Sequence, residues 1–137
     1  MNNAQIADIL GSVASLLELS GVERFKVVAY QRAARAIALH PKEMELALRD
    51  ADDLRAIPGV GKSIAEKIEE LVRSGRLAYF EDLKAQFPPG VTELLHIPGV
   101  GPKTALKLVQ ELGLTSLDGL EAALEEGRLA GRAWPRR

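Results

Sequence analysis

No cysteine occurs in this chain, which excludes disulfides and any cysteine-ligated zinc site. Aromatic residues make up only 4% of it, too few to supply a series of platforms for stacking single-stranded bases. No apolar run approaches the length of a membrane span. The opening residues Met1-Asn2-Asn3-Ala4-Gln5 lack the basic-then-apolar plan of a signal peptide. A soluble cytoplasmic protein with no membrane partner is the expectation. Strand-length alternation with period two is also missing, which argues against sheet. Positive charge is not in excess either: 18 Lys and Arg stand against 19 Asp and Glu, a formal net charge of −1. A nucleic-acid binder is usually clearly basic, so any attraction to a polyanion must be local. Arg24, Lys26, Arg32 and Arg35 form one such local cluster, with Glu23 as its acidic neighbour, whereas Glu121, Glu125 and Glu126 gather near the end.

What is present is apolar content of 47% in 137 residues, enough for one ordinary domain or two small ones. One stretch occurs twice. Ile57-Pro58-Gly59-Val60-Gly61-Lys62-Ser63-Ile64-Ala65-Glu66-Lys67-Ile68 is matched by Ile97-Pro98-Gly99-Val100-Gly101-Pro102-Lys103-Thr104-Ala105-Leu106-Lys107-Leu108. Ile, Pro, Gly, Val, Gly, Ala and Lys recur in the same register. In each copy a short apolar segment enters a Pro-Gly-Val-Gly turn and a helical pattern follows at once. Unpaired amides and the positive end of the macrodipole make such a helix start favourable for an anion. A pair of glycine-rich connections with no ligand is the plainer alternative.

The repeated stretch resembles the helix-hairpin-helix motif, a sequence-tolerant binder of the DNA backbone. That resemblance implies DNA contacts from Gly59, Val60, Gly61 and Lys62, and from Gly99, Val100, Gly101 and Lys103. It also implies that turn carbonyls hold a monovalent cation, K⁺ or Na⁺, bridging to a phosphate. The corresponding carbonyls are those of Arg55, Ile57 and Val60, then Leu95, Ile97 and Val100.

The rest of the chain reads as helices. Ile6, Ile9, Leu10, Val13, Leu16 and Leu17 mark a helix over 4–19, capped by Asn2 or Asn3 and stopped at Gly21. A second runs through Phe25, Val28, Ala29, Ala33, Ala36 and Ile37 to Pro41, with Lys26, Tyr30 and the arginines on its other face. A short third helix covers 42–49. Asp52 or Asp53 caps the first arm of hairpin one, and its second arm runs from Gly61 to Ser74-Gly75. A helix over 79–86 ends at Pro88-Pro89-Gly90, the expected hinge. Hairpin two spans 91–96 and 102–112, and Thr115-Ser116 caps a last helix to Glu126. The fold class is all-α: two small helical units, each built around one hairpin, over 1–87 and 91–129. An irregular tail, 130–137, carries Trp134.

Helical geometry separates the two repeat lysines. At about 100° per residue, Ile64, Ala65, Ile68, Leu71 and Val72 define the buried arc of the first repeat, and Lys67 lies on its rim beside Leu71. In the second, Ala105, Leu108, Val109 and Leu112 set the arc, and Lys107 points roughly 150° away from its centre. Lys107 is an ordinary solvated lysine. Lys67 has an apolar border of the kind an amine nucleophile needs, or else lays its stem along apolar surface with its charge in water. His40, at a helix end before a proline, and His96, beside the second turn, read as structural.

Taken together, Lys26, Tyr30-Gln31-Arg32-Ala33-Ala34, the two hairpins and Ala65-Glu66-Lys67-Ile68 resemble the N-terminal part of the family X DNA polymerases, the DNA polymerase beta relatives, most closely the bacterial form. The resemblance covers residues 3–129. It implies a lyase-like first unit that holds the 5′ side of a gap, and a fingers-like second unit that grips the primer side. It implies that Lys67 is the Schiff-base lysine, that Lys26 and Tyr30 lie near the 5′-phosphate, and that Arg32 joins the DNA surface. Two positions depart from the family's pattern: Ser63 stands in place of a phosphate-binding lysine, and Phe25 in place of a histidine. The parent family is a DNA nucleotidyltransferase. Its palm, with the carboxylates that hold catalytic Mg²⁺, would begin after the last helix. Polymerisation by this chain alone is therefore not expected, nor is a catalytic Mg²⁺ site. The partners implied are gapped, nicked or recessed DNA and a palm domain or repair partner, in a bacterial, nucleoid-associated setting. The alternative reading is a non-catalytic helix-hairpin-helix DNA-binding module.

Overall fold

A computed structural model describes residues 1–88 and 90–112. Seven α-helices and one 3₁₀ turn lie among these residues, and no strand does. The all-α expectation therefore holds. The helix expected after Thr115 and the tail with Trp134 lie outside the described residues. Two compact units divide the chain, Met1–Asp82 and the unit that begins at Leu83. This boundary falls inside a helix, some residues before the Pro88-Pro89-Gly90 hinge expected from sequence. Leu83 is buried, and the amides of Gln86 and Phe87 donate to the carbonyls of Leu83 and Lys84, so the backbone continues without a break to Phe87.

The first unit is organised on α1 (Asn3–Ser20) and α2 (Arg24–Leu39), its main helix pair. In α1 the residues Ile6, Leu10, Ser12, Val13, Ala14, Leu16 and Leu17 are all buried, a wider arc than an amphipathic surface helix needs. Its start is fixed by a capping box: the Asn2 side-chain oxygen accepts from the Gln5 amide at 2.8 Å, and the Gln5 side chain accepts from the Asn2 amide at 2.9 Å. Asn3, read from sequence as a possible cap, does something else. It is buried. Its Nδ2 donates to the Lys42 carbonyl at 2.9 Å and its Oδ1 accepts from the Met44 amide at 2.8 Å. Both groups stand at the start of α3 (Met44–Arg49), so one side chain ties the beginnings of two helices together.

The buried face of α2 differs from the expected one. Val27, Tyr30, Ala33 and Ile37 are buried, while Phe25 is 70% exposed. Spacings of three and four residues satisfy either phase. The phase with Tyr30 inward buries the largest ring, and Phe25, in the first turn, is left in solvent. Arg24 also finds an acid that local sequence did not reveal, Glu18 of α1, at 3.0 Å. After α3, Lys42 Nζ lies 3.0 Å from Asp50 and 2.7 Å from Asp52. The hydrogen bond to Lys42 holds the Asp50 carboxyl below the usual carboxylate range.

Hairpin one follows. Asp53 accepts from the Arg55 amide at 3.0 Å and so caps the 3₁₀ turn Leu54–Ala56; α4 (Lys62–Ser74) is the second arm, and α5 (Ala78–Lys84) comes after it. Ile64, Ile68 and Leu71 are buried on α4, as the periodicity requires. In the second unit α6 (Val91–Leu94) and α7 (Pro102–Leu112) form hairpin two, with Val91, Leu94, Val100, Ala105, Leu108 and Val109 buried. Lys107 is exposed, as expected.

Candidate nucleic-acid interface

Both repeated turns fold the same way. The Val60 amide donates to the Ile57 carbonyl at 3.0 Å, and Gly59 has φ +93°. The Val100 amide donates to the Ile97 carbonyl at 3.0 Å, and Gly99 has φ +85°. Proline before a positive-φ glycine inside a four-residue turn is the type II pattern, and it explains why Pro and the first glycine recur. Val60 and Val100 are buried and anchor the turns from below.

The second glycine of each turn needs a different explanation. Gly61 has φ −92° and ψ −178°, extended backbone open to any residue. A Cβ placed on Gly61, or on Gly101, would meet nothing within 4 Å. Neither glycine is thus required by the protein's own packing, and Gly61 is not required by conformation. Gly61 is the N-cap of α4 and supplies no side-chain cap, a position where Ser, Thr, Asp or Asn is ordinarily preferred. Its carbonyl starts the helix by accepting from Ala65 at 2.9 Å. Among the described residues, the amides of Gly59 and Gly61 and the first-turn amides of α4 find no backbone or side-chain acceptor. Gly59, Gly61, Gly99 and Gly101 are all exposed, as are Lys62 and Lys103 beside them. Each turn is a bare, exposed set of N–H donors with a cation alongside, suited to an anion with bulk.

Carbonyls of the turns are differently engaged. The Ile57 and Ile97 carbonyls each accept one turn hydrogen bond, whereas those of Arg55, Val60, Leu95 and Val100 accept no backbone hydrogen bond among the described loops and turns. A carbonyl oxygen has two lone pairs, so each of these oxygens keeps capacity for a further donor or a cation. No cluster of His, Asp and Glu that would hold a metal ion occurs among the described residues.

A second constellation lies in the first unit, around Tyr79. Its ring stacks on that of Tyr30, with centroids 6.1 Å apart and planes 17° from parallel. Lys67 Nζ lies 4.9 Å from its centroid and Lys26 Nζ 5.7 Å, both within cation–π range. Lys67 is half-buried, and its amine also donates to Ser63 Oγ at 3.0 Å. The three residues singled out from sequence, Lys26, Tyr30 and Lys67, are thereby brought together, but not as a shared polar face of α2. Tyr30 is 3% exposed. Desolvation, with the neighbouring Tyr79 adding to it, pushes its hydroxyl up to about 12. The residue that joins the set is Tyr79, which sequence reasoning passed over; its signal was a ring placed one turn beyond Gly75, the left-handed C-cap that ends α4.

Arg32 takes a separate position. It lines a groove of about 630 Å³ between α2 and the first turn, with Arg35, Leu39, Pro58 and Gly59 among its neighbours. Arg55 is paired with Asp53 at 3.1 Å. Glu66 lines another groove with Lys62 and Arg55. His40 Nδ1 accepts from the Lys42 amide at 3.2 Å, and His96 Nδ1 lies 2.9 Å from the Thr92 carbonyl, so both are tied into local backbone. No helix among the described residues is long and apolar enough to cross a membrane.

Comparison with known proteins agrees with this geometry. The profile of the helix-hairpin-helix domain matches residues 1–77, and that of the SAM-like helix-hairpin-helix tandem matches 91–131. The chain is 32% identical over 133 residues to the DNA polymerase/3′-5′ exonuclease PolX of Bacillus subtilis (strain 168), covering 97% of this chain and 23% of that protein. It is 30% identical over 120 residues to DNA polymerase lambda of Arabidopsis thaliana, covering 87% of this chain and 22% of the relative. Against DNA polymerase lambda of Rattus norvegicus the figures are 29% over 119 residues, 86% and 19%. The chain spans about a fifth to a quarter of the length of these relatives.

Proposed function

The chain belongs to the helix-hairpin-helix family, and from that premise we propose that it grips the sugar-phosphate backbone of gapped or nicked duplex DNA, with little base specificity. The amides of Gly59 and Gly61 with Lys62, and those of Gly99 and Gly101 with Lys103, bind phosphate oxygens, while the Val60 and Val100 amides, expected from the motif to join them, close the turns onto Ile57 and Ile97 instead. Phosphate contacts hold register without reading sequence. The carbonyls of Arg55, Ile57 and Val60, and of Leu95, Ile97 and Val100, are the donors we assign to a K⁺ or Na⁺ ion that bridges turn and phosphate. The observation that carries the reading is Gly61: a helix N-cap without a side chain, where neither backbone conformation nor internal packing asks for glycine. Close approach of an outside backbone does ask for it. The similarity to PolX and to two polymerases lambda supports DNA as the ligand. It also suggests that this chain's role is to hold DNA for a palm domain or repair partner, on the chromosomal DNA of the cytoplasm.

Filter binding of intact, nicked and gapped duplexes tests this. Retention that falls steeply with salt, and is highest on gapped duplex, is expected. Equal and negligible retention on all three would remove the proposal.

A lyase step at Lys67 is a further part of the reading, supported by its meeting with Lys26 and Tyr79. The uncharged amine of Lys67 adds to the C1′ aldehyde of an abasic 5′-deoxyribose phosphate, and loss of water gives the imine. Removal of a C2′ proton breaks the C3′–O bond and leaves the DNA with a 5′-phosphate; hydrolysis then frees the lysine. Lys26 holds the sugar's 5′-phosphate, with Tyr30 behind it. Borohydride should trap a covalent adduct that Lys67→Ala abolishes. DNA binding with no adduct would leave a non-catalytic module, a reading favoured by the Ser63 hydroxyl that takes the place of a cation and tethers the amine.

A further inference from the structure

The groove between α2 and the first turn has a lining with two kinds of surface. Arg32 and Arg35 stand three residues apart on one face of α2, both exposed. Neither guanidinium is paired with a carboxylate among the described residues. Apart from Gln31, the α2 side chains around them are apolar: Val28, Ala36 and Leu39. Leu39 is the last residue of α2 and is 77% exposed, the most exposed large apolar side chain described. The volume, about 630 Å³, falls in the range of roughly 300–1,000 Å³ typical of small-ligand pockets. The groove also abuts the phosphate-binding turn, because a Cβ on Gly59 would stand 3.6 Å from the Arg32 carbonyl and 3.7 Å from Ala36 Cβ.

We propose that this groove houses one unpaired nucleotide of the strand whose neighbouring phosphate sits on the first turn. The inference rests on the DNA-binding reading and sharpens it. Charge complementarity selects the occupant's class: two unpaired guanidiniums beside bare turn amides call for a phosphodiester. The apolar floor selects among phosphodiesters. A duplex keeps its base faces stacked, so its backbone would engage the arginines and leave Leu39, Val28 and Ala36 without a base face to cover them. A nucleotide freed from stacking and pairing presents an apolar base face as well. Its phosphate lies on Arg32 and Arg35, and its base lies on Leu39 and Val28, near the α2 C-terminus, where the helix dipole disfavours a phosphate. The site is a reason for preferring gaps and flaps that a backbone grip alone does not supply.

The test uses the full chain and fluorescence anisotropy on three DNAs: an intact duplex, the same duplex with a one-nucleotide 5′ flap, and that flap with its base replaced by an abasic tetrahydrofuran analogue. The base should improve affinity by about five- to ten-fold over the abasic flap, the effect of burying part of one leucine. Leu39→Ser, a change at an exposed position, should erase that difference and leave intact-duplex affinity unchanged. Arg35→Ala should weaken both flap ligands together. Equal affinity for base and abasic flaps in the unaltered protein, or an undiminished difference in Leu39→Ser, overturns the proposal while leaving backbone binding in place. Absence of binding to every DNA would overturn both.

Discussion

Lys67 Nζ stands 4.9 Å above the centre of the Tyr79 ring, and Lys26 Nζ shares that ring at 5.7 Å. One aromatic side chain therefore gathers two ammonium groups from different helices without neutralising either. Each such contact is worth about 0.5–1 kcal/mol at exposed sites. Tyr79→Leu releases Lys26, whose ammonium holds the 5′-phosphate, and should weaken binding of a 5′-phosphorylated gap, read by anisotropy, about three- to five-fold, in line with that energy, while Tyr79→Phe keeps it, because the ring face and not the hydroxyl does the holding. A Tyr79→Phe loss equal to that of Tyr79→Leu would show that the ring is not the platform.

Gly61→Ser separates folding from binding. The new hydroxyl caps α4 and should raise stability by a few tenths of a kcal/mol, since glycine at an N-cap is only slightly worse than serine. It also occupies an amide meant for phosphate. DNA affinity should fall on the order of ten-fold, the loss of one charge-assisted hydrogen bond. Thermal melts and anisotropy on the same preparation decide it, and unchanged affinity would count against the turn as the phosphate site. Gly101→Ser carries the same expectation for the second hairpin.

Gly59→Ala acts through the fold instead. Its Cβ would make only ordinary contacts, the nearest at 3.6 Å, so the cost is conformational. Holding alanine at φ near +93° should cost about 1–2 kcal/mol in urea unfolding. A neutral result would mean that the turn relaxes to another type.

Asn3→Leu should destabilise the first unit by about 1–3 kcal/mol, because the Met44 amide and the Lys42 carbonyl lose their partner in a buried place. Asn3→Asp should recover only the bond from Met44, since a carboxylate cannot donate to a carbonyl. Denaturant midpoints at one pH rank the three proteins.

Tyr30 gives a pH signature. Its hydroxyl titrates near 12 in the folded chain and near 10 when unfolded. The contribution is fully present below about pH 10 and is lost as pH rises towards 12, because the unfolded state releases its proton first. Over that window the wild-type unfolding free energy should fall more steeply than that of Tyr30→Phe, by up to about 1.4 kcal/mol per pH unit. Parallel curves would mean that the hydroxyl is solvated. At the acid end Asp50 and Asp53, both held low by partners, contribute stability above the usual carboxylate range that is lost as pH falls through their lowered values.

What sequence made legible was whatever depends on local spacing. Gly59 and Gly61 could be placed because a turn and a helix start are decided within a few residues, and the α4 arc with Lys67 on its rim followed from period alone. The α2 face was not legible. Phe25 and Tyr30 are both large and aromatic, and only packing against the other helices of the unit selects which goes inward. Tyr79 was hidden for a related reason: its contacts with Tyr30, Lys26 and Lys67 exist only after α5 has folded back. Asn3 looked like a cap because asparagine near a helix start usually is one, yet its partners lie about forty residues away.

The bare cap at Gly61 has a regulatory consequence. Main-chain amides carry no group that acetylation, methylation or oxidation can reach, and they do not change charge across the cell's pH range. Of the groups each hairpin turns towards phosphate, only the flanking lysines, Lys62 and Lys103, both exposed, carry a charge that acylation can remove.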